Sequence, residues 1–262
     1  MNGINKFLFT LLILSSFTLS RAQEDEINQL DENGNKTGFW QKQYENGKLM
    51  YEGYFADNKP VGIMKRYFPE GGLSAEIRFL KDGTTSYATM YYTNGKKAAE
   101  GKFIYQQKDS TWNYYSFYNQ RLAIMEEWKD GQKDGVTKKF YDNGSIAEIT
   151  GWKNGMQHGT WIQYYENGAL RLKSFFENGR QNGPFESYTA DGKPFISGNY
   201  LNDKMHGTWI YHSSEENPEM RVEYKSGTML PNQEMKKRQE DFSKEVEKII
   251  GKFPEPIEDN MR

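Results

Sequence analysis

Residues 159–183, GTWIQYYENGALRLKSFFENGRQNG, set a pattern that returns along the chain every 24 residues. Aligned on Trp161, the equivalent positions are Trp40, Met64, Ala88, Trp112, Thr137, Phe185 and Trp209, with one interval of 25 between Trp112 and Thr137. A period of this length marks an array whose units cannot bury their apolar surface alone and stack on their neighbours. Each unit reads as a β-hairpin: an aromatic strand, an Asn-Gly turn, a return strand ending on an aromatic, and a second turn. Asn46-Gly47, Asn94-Gly95, Asn143-Gly144 and Asn167-Gly168 supply the positive φ that tight hairpin turns demand. The spacing predicts an all-β repeat protein, an elongated single-layer antiparallel meander of successive β-hairpins. About eight repeats give about 16 strands, roughly 77 Å end to end at ~4.8 Å per strand.

Composition fits a thin sheet better than a thick core. Hydrophobic residues are 36% of the chain, yet aromatics are 15%, led by 18 Tyr and 16 Phe. The expected organisation is a signal peptide over 1–22, an N-terminal capping half repeat over 23–37, the hairpin array over 38–230, and a C-terminal helix and tail over 231–262. The signal expectation rests on Lys6, the 13-residue apolar run from Phe7 to Leu19, and the small residues of Ser20-Arg21-Ala22. That run is short for the ~20 residues of a membrane span, so no transmembrane anchor is expected after cleavage. The chain has no cysteine, hence no disulfide framework and no lipidation site, which fits an exported bacterial protein of the periplasm, surface or medium. Removing Lys6 and Arg21 takes the formal charge from −2 to −4, the wrong sign for a nucleic acid partner. From Asn232 the apolar period changes to 3.6: Met235, Phe242, Val246, Ile249 and Ile250 fall on one helical face, a cap or a partner-binding helix.

A catalytic or metal site is not expected, and no cofactor is implied. His158 and His206 occupy equivalent positions two repeats apart, so ~19 Å separates them, too far to share a zinc. Acids recur once per repeat at hairpin tips, too widely spaced for paired acid–base work. The feature with functional content is the aromatic ladder. By alternation, Trp40, Tyr44, Tyr92, Trp112, Tyr141, Trp161, Tyr165 and Trp209 share one sheet face, which could grip a partner or pack on itself.

The unit G-x-W-x-x-Y-Y-x-N-G-x-L-x5-F-x-N-G, as it stands from Gly159 to Gly179, resembles the MORN-repeat variant, in particular the bacterial YwqK-type antitoxin group. The resemblance covers Ile27 to Gly227 and implies a scaffold or binding surface without catalysis. The leading expectation is an exported, non-catalytic binding or scaffold protein presenting its aromatic face to a protein partner. A cell-envelope glycan binder using the same face is the alternative. An antitoxin-like neutraliser of a partner protein comes third, because an export signal is at odds with a cytosolic toxin.

Overall fold

The computed structural model describes residues 27–212 and 220–231. The expected signal segment lies outside them, and so does the expected C-terminal helix with Met235, Phe242, Val246, Ile249 and Ile250. Among the described residues the fold is one open antiparallel sheet of 19 strands, consecutive strands pairing along the chain except at one strand broken in two. Repeat one runs up Lys36–Gln43 and back along Leu49–Ala56. Repeat six uses Met156–Tyr164 and Leu170–Glu177, and repeat eight Lys204–Tyr211 and Met220–Lys225. The short strands Gln29–Leu30 and Thr228–Met229 pair with the first and last hairpins. In repeat seven the outgoing strand is broken into Arg180–Gln181 and Gly183–Tyr188, both paired to the same neighbour.

Two irregularities recur with the period. Near the tips of repeats one to seven the register skips one residue of the return strand, Met50 in repeat one and Ala147 in repeat five, a β-bulge. Two residues before the reference position, in every repeat but the third, the backbone turns left-handed, as at Gly159 (φ 82°), a conformation glycine adopts without a Cβ clash. Repeat four achieves the same turn with Ser110 (φ 59°). The single extra residue of the 25-residue interval sits in the tip of repeat four. There Ser116 N–H bonds Arg121 C=O, whereas in repeat one Tyr44 N–H bonds Lys48 C=O, one residue closer.

The tips are stitched to each other. The tip Asn residues accept from the backbone N–H two residues on, and several donate across the boundary, as Asn46 does to Pro69 C=O (2.9 Å) and Asn167 to Ala190 C=O (3.2 Å). The opposite edge has its own ladder of turn-to-turn backbone bonds, including Gly155 N–H to Lys133 C=O and Gly179 N–H to Gln157 C=O. Both edges therefore tie neighbouring hairpins together.

One face carries the apolar packing, and its interlock crosses the repeat boundary. The reference residue of each repeat lies beside a return-strand residue of the preceding one, and the two sizes compensate. Gly53 meets Met64, Ile77 meets Ala88, and Glu126 meets Thr137. A Cβ on Gly101 would stand 2.2 Å from Trp112 Cδ2, and one on Gly198 would stand 2.3 Å from Trp209 Cδ2. The indoles thus lie flat on bare backbone. Trp112 and Trp209 are 0% and 2% exposed although the sheet has a single layer.

Candidate binding face

The structure divides the eight ladder aromatics into two sets, and neither forms the open platform that alternation predicts. Trp112 and Trp209 are core residues: each indole is covered by its neighbours, and its N–H is spent on Lys102 C=O (3.0 Å) or Asn199 C=O (3.1 Å). This corrects the expectation that they face a ligand. Trp40 is half-buried, with Lys36 over its ring at 4.4 Å and its N–H bonded to Gln29 and Thr37 carbonyls. Trp161 meets Thr150 where Trp112 and Trp209 meet glycine, and it stays half-buried, edge-on to Phe176 at 5.9 Å.

Tyr44, Tyr92, Tyr141 and Tyr165 sit where strand gives way to tip, and their hydroxyls act as staples. Each donates to the backbone carbonyl 23 residues on: Tyr67 (2.8 Å), Tyr115 (2.7 Å), Tyr164 (2.7 Å) and Tyr188 (2.8 Å). A phenol committed to the next hairpin is a fold determinant first, worth about 1 kcal/mol as a net hydrogen bond.

An exposed apolar strip lies on the other face, in repeats one to three. Phe39 pairs with Tyr54 and Tyr54 with Val61, while Ile63 pairs with Arg78 and Arg78 with Tyr87, giving a strip across adjacent strands. Tyr54, Val61, Ile63 and Tyr87 are 49%, 40%, 45% and 51% exposed, and Phe39 stacks at 5.1 Å on Tyr54. Glu52, Lys65 and Glu76 run beside the strip in consecutive register, and Tyr67 donates to Glu52 at 2.6 Å. Burial and the Glu52 charge push the Tyr67 phenol up to about 12. In later repeats the equivalents of Ile63 include Thr111, Thr160 and Thr208, so the period does not require apolar residues there.

A second concentration of chemistry occupies the tryptophan face of repeats four and five. Lysines four residues before the reference position lie over indoles. Lys108 is 4.7 Å from the Trp128 ring and 4.8 Å from Trp112, and Lys133 is 4.7 Å from Trp152 and 5.9 Å from Trp128. Lys108 donates to the Tyr114 hydroxyl at 2.6 Å, and burial pulls its ammonium below the usual lysine range. Glu126 is buried, yet its carboxyl is held below the usual range because Lys133 (2.6 Å), Tyr114 and Trp128 (3.0 Å) outweigh desolvation. Burial and the same carboxylate push the Tyr114 phenol strongly up. These lysines were legible as a spacing: Lys36 and Lys108 precede Trp40 and Trp112 by an even step on one strand. Among the described residues no three His, Cys, Asp or Glu side chains group as a metal site, and no helix is long and apolar enough to cross a membrane.

No curated protein matches the chain. Among solved structures, the crystal structure of TcdB2-TccC3 is similar over 77% of this chain and 14% of that chain, with 13% identity and a TM-score of 0.21. The MORN repeat variant family matches residues 36–57, 133–154 and 157–179, which are repeats one, five and six. At those three of its eight hairpins the sheet is similar to the MORN repeat variant.

Proposed function

We propose that this is an exported, non-catalytic binding protein that docks a protein partner on the strip of repeats one to three. The observation that supports the reading is the row of Tyr54, Val61, Ile63 and Tyr87, each at least 40% exposed, with Arg78 on the strand between Ile63 and Tyr87. A row about five strands wide spans roughly 24 Å, a scale that suits the centre of a protein interface. Tyrosines flanked by aliphatic residues and a charged rim are the composition such centres favour. Arg78 within the strip and the Glu52–Lys65–Glu76 row beside it supply that rim. The tryptophan face suits the role less well, because Trp112 and Trp209 are already consumed by packing.

The test is affinity capture from the native envelope fraction, with binding of the captured protein then measured directly. Ile63→Lys combined with Tyr87→Lys weakens that binding at least tenfold, while Trp161→Ala, on the other face, leaves it unchanged. Loss with Trp161→Ala and retention with the lysine pair would return the binding role to the tryptophan face. Export is checked separately by sequencing the mature N-terminus, expected at Gln23.

A further inference from the structure

Three buried side-chain polar atoms have no hydrogen-bond partner among the described residues: Thr137 Oγ1, Trp152 Nε1 and His158 Nδ1. All three fall in repeats five and six, on neighbouring strands. A buried polar atom without a partner costs about 1–3 kcal/mol, so a cluster of them calls for an explanation. The array itself shows how they could have been avoided. Trp128 bonds Glu126 two residues back on its strand, but Trp152, one repeat on, finds Thr150 there, whose hydroxyl is turned to Glu148 (3.3 Å). Thr137, 4% exposed, lies in register between Glu126 and Thr150. Lys133 lies against the Trp152 ring beside them.

The charges around these atoms do not balance. Lys108, Lys133 and Glu126 sum to a single positive charge on the face where the orphaned donors lie. The flanking indoles of Trp128 and Trp152 are half-buried and keep some ring surface open. An anion alone would use the lysine and one donor. A sugar acid would use Lys133 and two of the three orphaned atoms: carboxylate on Lys133, ring hydroxyls on the Trp152 N–H and the Thr137 hydroxyl, and a C–H face against an indole.

We infer that the tryptophan face of repeats four to six binds a carboxylate-bearing saccharide through Lys133, Trp152 and Thr137. Lys133 is paired with Glu126 at 2.6 Å, so the ligand carboxylate shares its ammonium, and Lys108 over the neighbouring Trp128 ring supplies the second positive charge that balances the two carboxylates. Lys133 is a partly exposed side chain that lies over the Trp152 ring at 4.7 Å. This site is separate from the strip of repeats one to three and does not depend on it.

The experiment titrates the full chain with D-glucuronate, D-glucose, acetate and inorganic phosphate, following intrinsic fluorescence and heat. Half of the 6 tryptophans, Trp112, Trp128 and Trp152, belong to this cluster, so binding registers in the emission. Glucuronate binds at least tenfold more tightly than glucose or acetate. Trp152→Phe and Thr137→Val each weaken it threefold to tenfold while leaving the melting temperature of the free protein equal or higher, because each removes an unpaired buried group. Lys133→Met abolishes it. Lys36→Met, which strips the equivalent lysine from Trp40, has no effect. The proposal is overturned if glucuronate fails to bind, if phosphate binds as tightly, if the Trp152 and Thr137 variants bind like the parent, or if Lys36→Met loses binding equally.

Discussion

Replacing Gly101 by alanine tests the interlock between repeats three and four. The new Cβ would stand 2.2, 2.4 and 2.6 Å from Cδ2, Cε2 and Cγ of Trp112, where carbon atoms keep about 3.5–4.0 Å apart. The φ of Gly101 is not left-handed, so the backbone itself would accept alanine and the whole penalty is contact. The ring has to retreat by more than about 1 Å. It has nowhere to go: Trp112 is 0% exposed, edge-on to Phe103 at 4.8 Å, and tied by its N–H to Lys102 C=O at 3.0 Å. Overpacking of this kind costs about 1–3 kcal/mol, and a stretched indole hydrogen bond about 1 kcal/mol more. The expected loss is about 2–4 kcal/mol. Because an array can open locally, global unfolding is the wrong readout. Hydrogen exchange followed by peptide mass spectrometry reports repeats three and four separately, and amides of Lys97–Tyr115 exchange faster by the corresponding factor. A double-mutant cycle with Trp112→Ala isolates the clash, since removing the ring removes the cost of the methyl group. The reasoning is refuted if Gly101→Ala changes local protection by less than about 0.5 kcal/mol, or if the two substitutions are additive.

Tyr165→Phe removes the staple to Tyr188 C=O and lowers protection of the 183–201 hairpin by about 1 kcal/mol in the same exchange experiment, with little effect in repeats one to three. Glu126 has a folded pKa depressed by its partners, so its contribution is present above the unfolded carboxylate value and is lost as pH falls through the folded one. In urea titrations Glu126→Gln is therefore less stable than the parent at neutral pH, and the two converge in acid. Tyr115 behaves in the opposite sense. Burial and its hydrogen bond to Glu100 raise the phenol to about 12, so this contribution is intact below the unfolded tyrosine value and is lost as pH rises through about 12. Tyr115→Phe flattens that alkaline loss, and absorbance titration shows one fewer late-ionising phenol.

The period, the Asn-Gly tips and the division of strands into two faces were legible because each is a local rule that recurs along the chain, the Asn-Gly tip four times. The interlock was not. Alignment by period compares Ala88 with Trp112 and suggests a weakened repeat; the residue that Ala88 touches is Ile77, in the repeat before it. Thr137 likewise seems a loss until Glu126 is set opposite it. Alternation placed Trp40 and Tyr44 on one ladder, yet the tyrosine lies at the tip with its hydroxyl on Tyr67 C=O, a bond 23 residues long that no local rule anticipates. The exposed strip was hidden for the reverse reason: Ile63 and Tyr87 occupy positions where the period has no preference, so a search for recurrence passes over them.

The stitches at both sheet edges also have a mechanical meaning. A hairpin of 24 residues occupies two strand spacings, about 10 Å along the array, but its extended chain reaches roughly 80 Å. Peeling one unit under tension would lengthen the molecule by about 70 Å. Tip-to-tip bonds such as Asn167 to Ala190 bind the edges of neighbouring hairpins, so release proceeds by whole units and not strand by strand. Held at its two ends, this sheet would behave as a spring that yields in discrete steps.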